Sequence, residues 1–197
     1  MGFFKAILFA LAFISGTVLS QPPPRINARG NVIGAQAPHS QAFLIYQSGA
    51  TGDIVLESVS STFQFGQHTG FRTIVPANEV LWGTPLAIAQ RKEKGDDIGR
   101  LFLFFFSPDY KLKEYQYGVD KPNDWDGGSG CNRCIDKYNF EVQPGSQILY
   151  AMRSAVDGDD PKFRAGVRVG FVANNYPGTL SEADRRHWEW KVFPMPN

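Results

Sequence analysis

Few residues of this chain have the types and spacing that chemistry needs. Cys131 and Cys134 lie in Gly130-Cys-Asn-Arg-Cys134, with three histidines (His39, His68, His187) scattered elsewhere. A local disulfide closing a very small loop is the preferred reading of such a pair in a secreted chain. A redox Cys-x-x-Cys wants a strand before it, a helix after it and a reducing compartment. Here the pair follows Asp126-Gly-Gly-Ser-Gly130, a loop sequence. Zinc would need further ligands than dispersed histidines offer. Asp124 with Asp126 is the one tempting carboxylate pair, but it sits beside Gly127-Gly128 as turn residues do. A glycosidase requires two carboxylates facing across a cleft, which spacing alone cannot show. The chain has no Gly-x-Ser-x-Gly elbow, no His-Glu-x-x-His and no calcium loop. The reading is therefore a non-catalytic protein with no cofactor and no metal.

Bulk properties narrow the partners. The formal net charge is +1, which offers nothing to nucleic acid or to an anionic membrane surface. Met1 to Ser20 carries Lys5, an apolar stretch from Ala6 to Ile14 and small residues before Gln21, the pattern of a secretory signal peptide. Localisation is then extracellular. No later stretch is apolar and long enough to span a bilayer as a helix. Residues 21–30, beginning Gln21-Pro-Pro-Pro, read as a Pro-rich linker, and 31–197 as one domain with a real core. Aromatic residues make up 14% of the chain, glycine and proline are frequent, and helical periodicity is scarce, so the fold class is all-β. No Asn-x-Ser/Thr sequon is present.

The elements that must position any site centre on residues 83–126. Leu101-Phe-Leu-Phe-Phe-Phe106 is a continuous apolar run, as a strand buried on both faces would be. Ser107-Pro108-Asp109 supplies a turn, and Lys111-Leu-Lys-Glu-Tyr-Gln-Tyr117 alternates like an outer strand with one wet face. Before the run, Gly83-Thr-Pro-Leu-Ala-Ile-Ala-Gln-Arg91 resembles Gly145-Ser-Gln-Ile-Leu-Tyr-Ala-Met-Arg153, 62 residues on. Repetition of a strand-rich unit marks arrays in which one unit cannot bury its own apolar face. Upstream, Val32-Ile33, Ala42–Tyr46, Ile54–Val59, Thr62–Phe65 and Phe71–Val75 read as strands, with a hairpin about residues 47–53. Arg91–Asp97 and Asp157–Asp160 read as solvated polar loops. Downstream, Tyr138–Val142 and Val167–Ala173 read as strands, and Thr179–Glu182 as a strand or a capped helix start.

The order Gly-Thr-Pro-Leu-Ala, apolar strand, turn, Lys-Leu-Lys-Glu-Tyr, Trp resembles a blade of the fungal fucose-specific lectins and their bacterial relatives. Those are β-propellers that hold fucose between blades through an Arg, a Glu and a Trp from the neighbouring blade. The resemblance covers Gly83 to Gly128, more weakly Gly145 to Trp190, and faintly Ala42 to Glu57. It implies a partial propeller of about three blade-like antiparallel sheets, with a β-sandwich or barrel as the alternative. Glu114 matches the family's Glu, Tyr117 and Trp125 fall near its aromatic positions, and the Arg position falls on Leu103. In the third unit Arg168 and Glu182 match the Arg and Glu, followed by Trp190. In the first unit the Arg position falls near Leu44, and Glu57 is retained. The one composite site implied to keep all its parts takes Arg168 and Glu182 from the third unit, and Tyr117 and Trp125 from the second.

Two functions follow. One is a secreted, non-catalytic carbohydrate-binding protein for fucosylated glycans, with self-association as a route to a complete propeller. The other is a secreted, effector-like fungal protein that keeps the blade scaffold but contacts a host protein. The missing Arg in two units favours the second.

Overall fold

The computed structural model describes residues 26–36, 41–60, 67–91, 99–119, 124–153, 166–186 and 189–195. The signal peptide, the strand expected at Thr62–Phe65, most of the charged loop after Arg91 and the Asp157–Asp160 turn lie outside them.

Three antiparallel sheets of four strands follow one another along the chain, each a simple meander. The first is β1 (Ala28–Gln36), β2 (Ala42–Ser48), β3 (Ile54–Val59) and β4 (His68–Val75). The second is β5 (Ala87–Arg91), β6 (Arg100–Phe106), β7 (Leu112–Tyr117) and β8 (Trp125–Gly127). The third is β9 (Leu149–Arg153), β10 (Val167–Val172), β11 (Leu180–Arg186) and β12 (Glu189–Pro194). The two halves of the sequence repeat become β5 and β9, the opening strands of the second and third sheets. The architecture is thus a partial propeller of three blades, and the alternative of one sandwich or barrel is set aside. Among the described residues no sheet closes on itself.

Two apolar cores hold the blades together. Leu101, Leu103 and Phe105 of β6 pack with Ile45, Ile54 and Leu56 of the first sheet. Phe102, Phe104 and Phe106 of the same strand pack with Val167, Val169 and Phe171 of the third. This is why the run from Leu101 to Phe106 has no polar position: both faces of β6 are inside. Each such side chain contributes roughly 1.5–3 kcal/mol by leaving water. Polar clamps add direction to the first seam. The Asn31 side chain donates to the Leu86 carbonyl at 2.8 Å and accepts from the Leu86 amide at 2.8 Å. Gln47 accepts from the Gly83 amide at 2.7 Å and donates to the Gly52 carbonyl at 2.9 Å. Arg72 reaches Asp124 at 2.6 Å.

Three local readings change. β7 has no wet face: only Lys113 is half-exposed, because sheets flank β7 on both sides and β8, not β7, forms the sheet's edge. Tyr138–Val142 is not a strand. A 3-10 turn at Ile135–Tyr138 ends at Asn139 in the left-handed region (φ 49°), and single bridges then tie Glu141 to Lys111 and Val142 to Ala173. The linker expected over residues 21–30 gives way at Ala28, where β1 begins.

Phe104 lies at the centre of the second core, its ring edge-on to Trp190 at 5.9 Å. Phe104→Ala should lower stability by about 3–5 kcal/mol, read as a shifted urea midpoint.

Candidate functional site

Strand alternation decides which predicted residues can meet. On β10, Val167, Val169 and Phe171 face the second sheet. Arg168 and Gly170 therefore point to the opposite, outward face. Gly170 stands opposite Glu182 on β11 and opposite Tyr150 on β9. Three side chains converge there. The Arg168 guanidinium pairs with Glu182 Oε2, and the Tyr150 hydroxyl donates to Glu182 Oε1 at 2.8 Å. Gly170 makes this possible, because the Tyr150 ring lies over it so closely that a Cβ there would come within 2.0 Å of the ring. The hydrogen bond to Glu182 holds the Arg168 guanidinium protonated, raising its pKa above the ordinary arginine value. Burial and the adjacent carboxylate push the Tyr150 phenol up to about 12.

The cluster is reachable. The Arg168 side chain is 37% exposed and that of Glu182 12%. Phe193 stands directly opposite Glu182 across the ladder, and Met152 opposite Arg168. Both apolar side chains are exposed. A guanidinium, a carboxylate and a phenol beside an exposed ring can bind a ligand that carries hydroxyls on one side and C–H groups on the other.

Tyr117 and Trp125 are elsewhere. Their rings pack 5.5 Å apart, both buried, in the core between the first and second sheets. The second sheet separates them from Arg168 and Glu182, so the composite of those four residues is not assembled. Proximity along the chain suggested it; the seam that Trp125 enters is the other one.

Glu114 and Trp190 share the seam between the second and third sheets, where Arg185 reaches both. Arg185 Nη1 lies 3.5 Å from Glu114 Oε1, and the guanidinium sits over Phe102 at 4.6 Å and Trp190 at 5.5 Å. Glu114 also accepts from the Ile135 amide at 2.8 Å and the Gln116 side chain at 2.8 Å. This seam holds a carboxylate, a guanidinium and an indole, but all are packed in the interior. Register shows how it differs from the outward face. Gly170 opposes Glu182 with Arg168 two positions earlier, whereas Phe104 opposes Glu114 with Phe102 two positions earlier. The counterpart of Arg168 is therefore Phe102 rather than Leu103, which faces the first sheet. Leu44 and Glu57 lie on the face of the first sheet turned away from the second, since their neighbours Phe43, Ile45 and Leu56 face the core. Sequence reading missed Arg185; its only signal is alternation with Ser181 and Ala183, small residues that leave it room.

The Cys131–Cys134 disulfide forms and closes the short loop before the 3-10 turn. Beside it a pocket of about 460 Å³ is lined by residues including Glu79, Lys113 and Asp136. Burial pushes the Asp136 carboxyl up to about 6, against the opposing pull of Lys113 3.3 Å away. Among the described residues no group of three His, Cys, Asp or Glu is placed to hold a metal ion, and no helix is long and apolar enough to cross a membrane.

No family model and no curated protein matches the chain. Solved structures do. A triple arginine-to-alanine mutant of AofleA from Arthrobotrys oligospora superposes with a TM-score of 0.63 at 20% identity, over 87% of this chain and 43% of that one. The BP39L lectin from Burkholderia pseudomallei gives 0.52 at 16% identity, over 85% and 41%. The chain shares the propeller-type fold of these structures. This chain spans less than half the length of either neighbour.

Burial raises the Glu114 carboxyl from 4.5 to about 7, despite Arg185 and the Ile135 amide. The folded state then keeps a proton that the unfolded chain has already released, so this group's contribution falls as pH rises from about 4.5 to about 7. Stability measured by urea unfolding across that range should decline, and Glu114→Gln should flatten the slope.

Proposed function

We propose that the chain is a secreted, non-catalytic, lectin-like protein that takes a fucose-type residue of a glycan on the outward face of its third sheet. The carrying observation is the convergence of Arg168 and Tyr150 on the single carboxylate of Glu182, on an accessible face. A deoxy sugar presents hydroxyls along one edge and C–H groups along the other. Arg168 and Glu182 read the hydroxyls in fixed directions, Tyr150 holds Glu182 in place, and Phe193 covers the C–H face. Trp125, Tyr117, Trp190 and Glu114 serve the interior in this reading. A homo-oligomer that completes a propeller goes with it, since no sheet follows the third among the described residues to cover its outward face.

A second reading has one observation in its favour. Ile148, just before β9, and Met152 and Phe193 of the third sheet are 52%, 43% and 57% exposed, a scatter of apolar surface that suits contact with a host protein.

A glycan array followed by titration calorimetry separates the two. Fucoside binding by the mature protein, reduced at least about tenfold in Arg168→Ala and in Glu182→Gln, is the expected result, given that each variant strips a charge-assisted contact. A blank array, or binding that Arg168→Ala leaves untouched, overturns the sugar reading.

A further inference from the structure

Past β8 the chain runs from Gly128 to Gln143 as a strap along the end of the second sheet. Its far part is tied by backbone groups. The Val142 amide donates to the Tyr110 carbonyl at 2.8 Å, and the Gln143 amide to the Val172 carbonyl at 2.9 Å. Its middle is tied by two acids instead. The Ile135 amide donates to the Glu114 carboxyl at 2.8 Å, and Asp136 Oδ1 lies 3.3 Å from the Lys113 ammonium. Both acids are inside, Glu114 with 0% of its side chain exposed and Asp136 with 8%. Neither Asp136 oxygen meets a donor in hydrogen-bond geometry. The strap is also one wall of the pocket of about 460 Å³. It contributes Ser129, Cys131 and Asp136, while Glu79, Ser107 and Lys113 line the pocket from outside the strap.

We infer that the middle of this strap is a pH-operated latch, closed while Glu114 and Asp136 are uncharged and loosened once both ionise. The two ties are adjacent along the chain, so one outward movement of Ile135 and Asp136 lets water reach both carboxyls and reshapes the pocket wall. Closing the latch removes that water, and burial pushes the two carboxyls up to about 7 and about 6. The charges around them do not reverse this. Glu114 faces Arg185 of β11, whose own charge is opposed by Arg91, Arg100 and Arg133. Asp136 faces Lys113 of β7 but also Glu79, and it acts on Glu114 as a second negative charge. An acid whose closed-state pKa lies above its open-state value favours closure at low pH. That contribution fades as pH rises through the closed-state value. Both acids act in the same direction, so the latch responds more steeply than a single titration. Ile135, fully buried in the second core, resists release. The open form is therefore a minor state whose population grows with pH, as local openings do.

Amide hydrogen exchange of the folded protein, read residue by residue and corrected for intrinsic rates, tests the latch. The Val142 amide serves as the internal reference, because its tie is to a backbone carbonyl further along the same strap. The ratio of Ile135 exchange to Val142 exchange should rise at least about tenfold between about pH 5 and about pH 8. Any change in global stability moves both amides together and cancels in that ratio. Glu114→Gln and Asp136→Asn should each flatten the rise, and either variant suffices where the other fails to fold. A ratio that stays constant across the range overturns the inference. So does a rise of undiminished size in a folded variant.

Discussion

The structure depends on one strand that is inside on both sides. β6 sends leucines and Phe105 toward the first sheet and three phenylalanines toward the third, and none of the six from Leu101 to Phe106 is more than 1% exposed. A strand of that composition cannot border water on either face. It therefore obliges a sheet before it and a sheet after it, and the array of three follows from that demand. The polar clamps of Asn31 and Gln47 then select the angle of one seam, since amide hydrogen bonds are directional where apolar contact is not.

Position in this array, more than residue type, decides what a glutamate does. Glu114 and Glu182 occupy matching places on the third strands of successive sheets. In the seam, Glu114 meets Arg185 stacked on Phe102 and Trp190, and burial drives its carboxyl toward neutrality. On the last sheet no following blade covers Glu182 among the described residues, and it stays partly open with Arg168 beside it. The inner seam is filled by the protein's own guanidinium; the outer face has room for a ligand's hydroxyls.

Much of the fold was legible from periodicity. The unbroken apolar run from Leu101 to Phe106 announced a doubly covered strand, and the repeat at residues 83 and 145 marked the openings of two sheets. The Arg168–Glu182 pair was implied by the resemblance to a lectin blade, and the antiparallel neighbours β10 and β11 bring the two side chains together. The rest turned on facts that spacing does not carry. Aligning the missing Arg on Leu103 instead of Phe102 is an error of one residue, and in a strand one residue is the difference between two faces. Trp125 follows Glu114 closely in sequence but enters the opposite core. Arg185 gave no sign beyond its alternation with Ser181 and Ala183, as an arginine on a strand looks the same whether it faces water or an indole.

Gly170 is the smallest residue on the outward face and the one with the widest influence. The Tyr150 ring occupies the space where any other residue would place its first carbon. A single methyl at that point would lift the ring, draw its hydroxyl away from the carboxylate and loosen the partner of the guanidinium, without touching a bound molecule. The chemistry of this surface thus hangs on an absent side chain, and a lineage could silence it by one codon change while every polar group remained in the sequence.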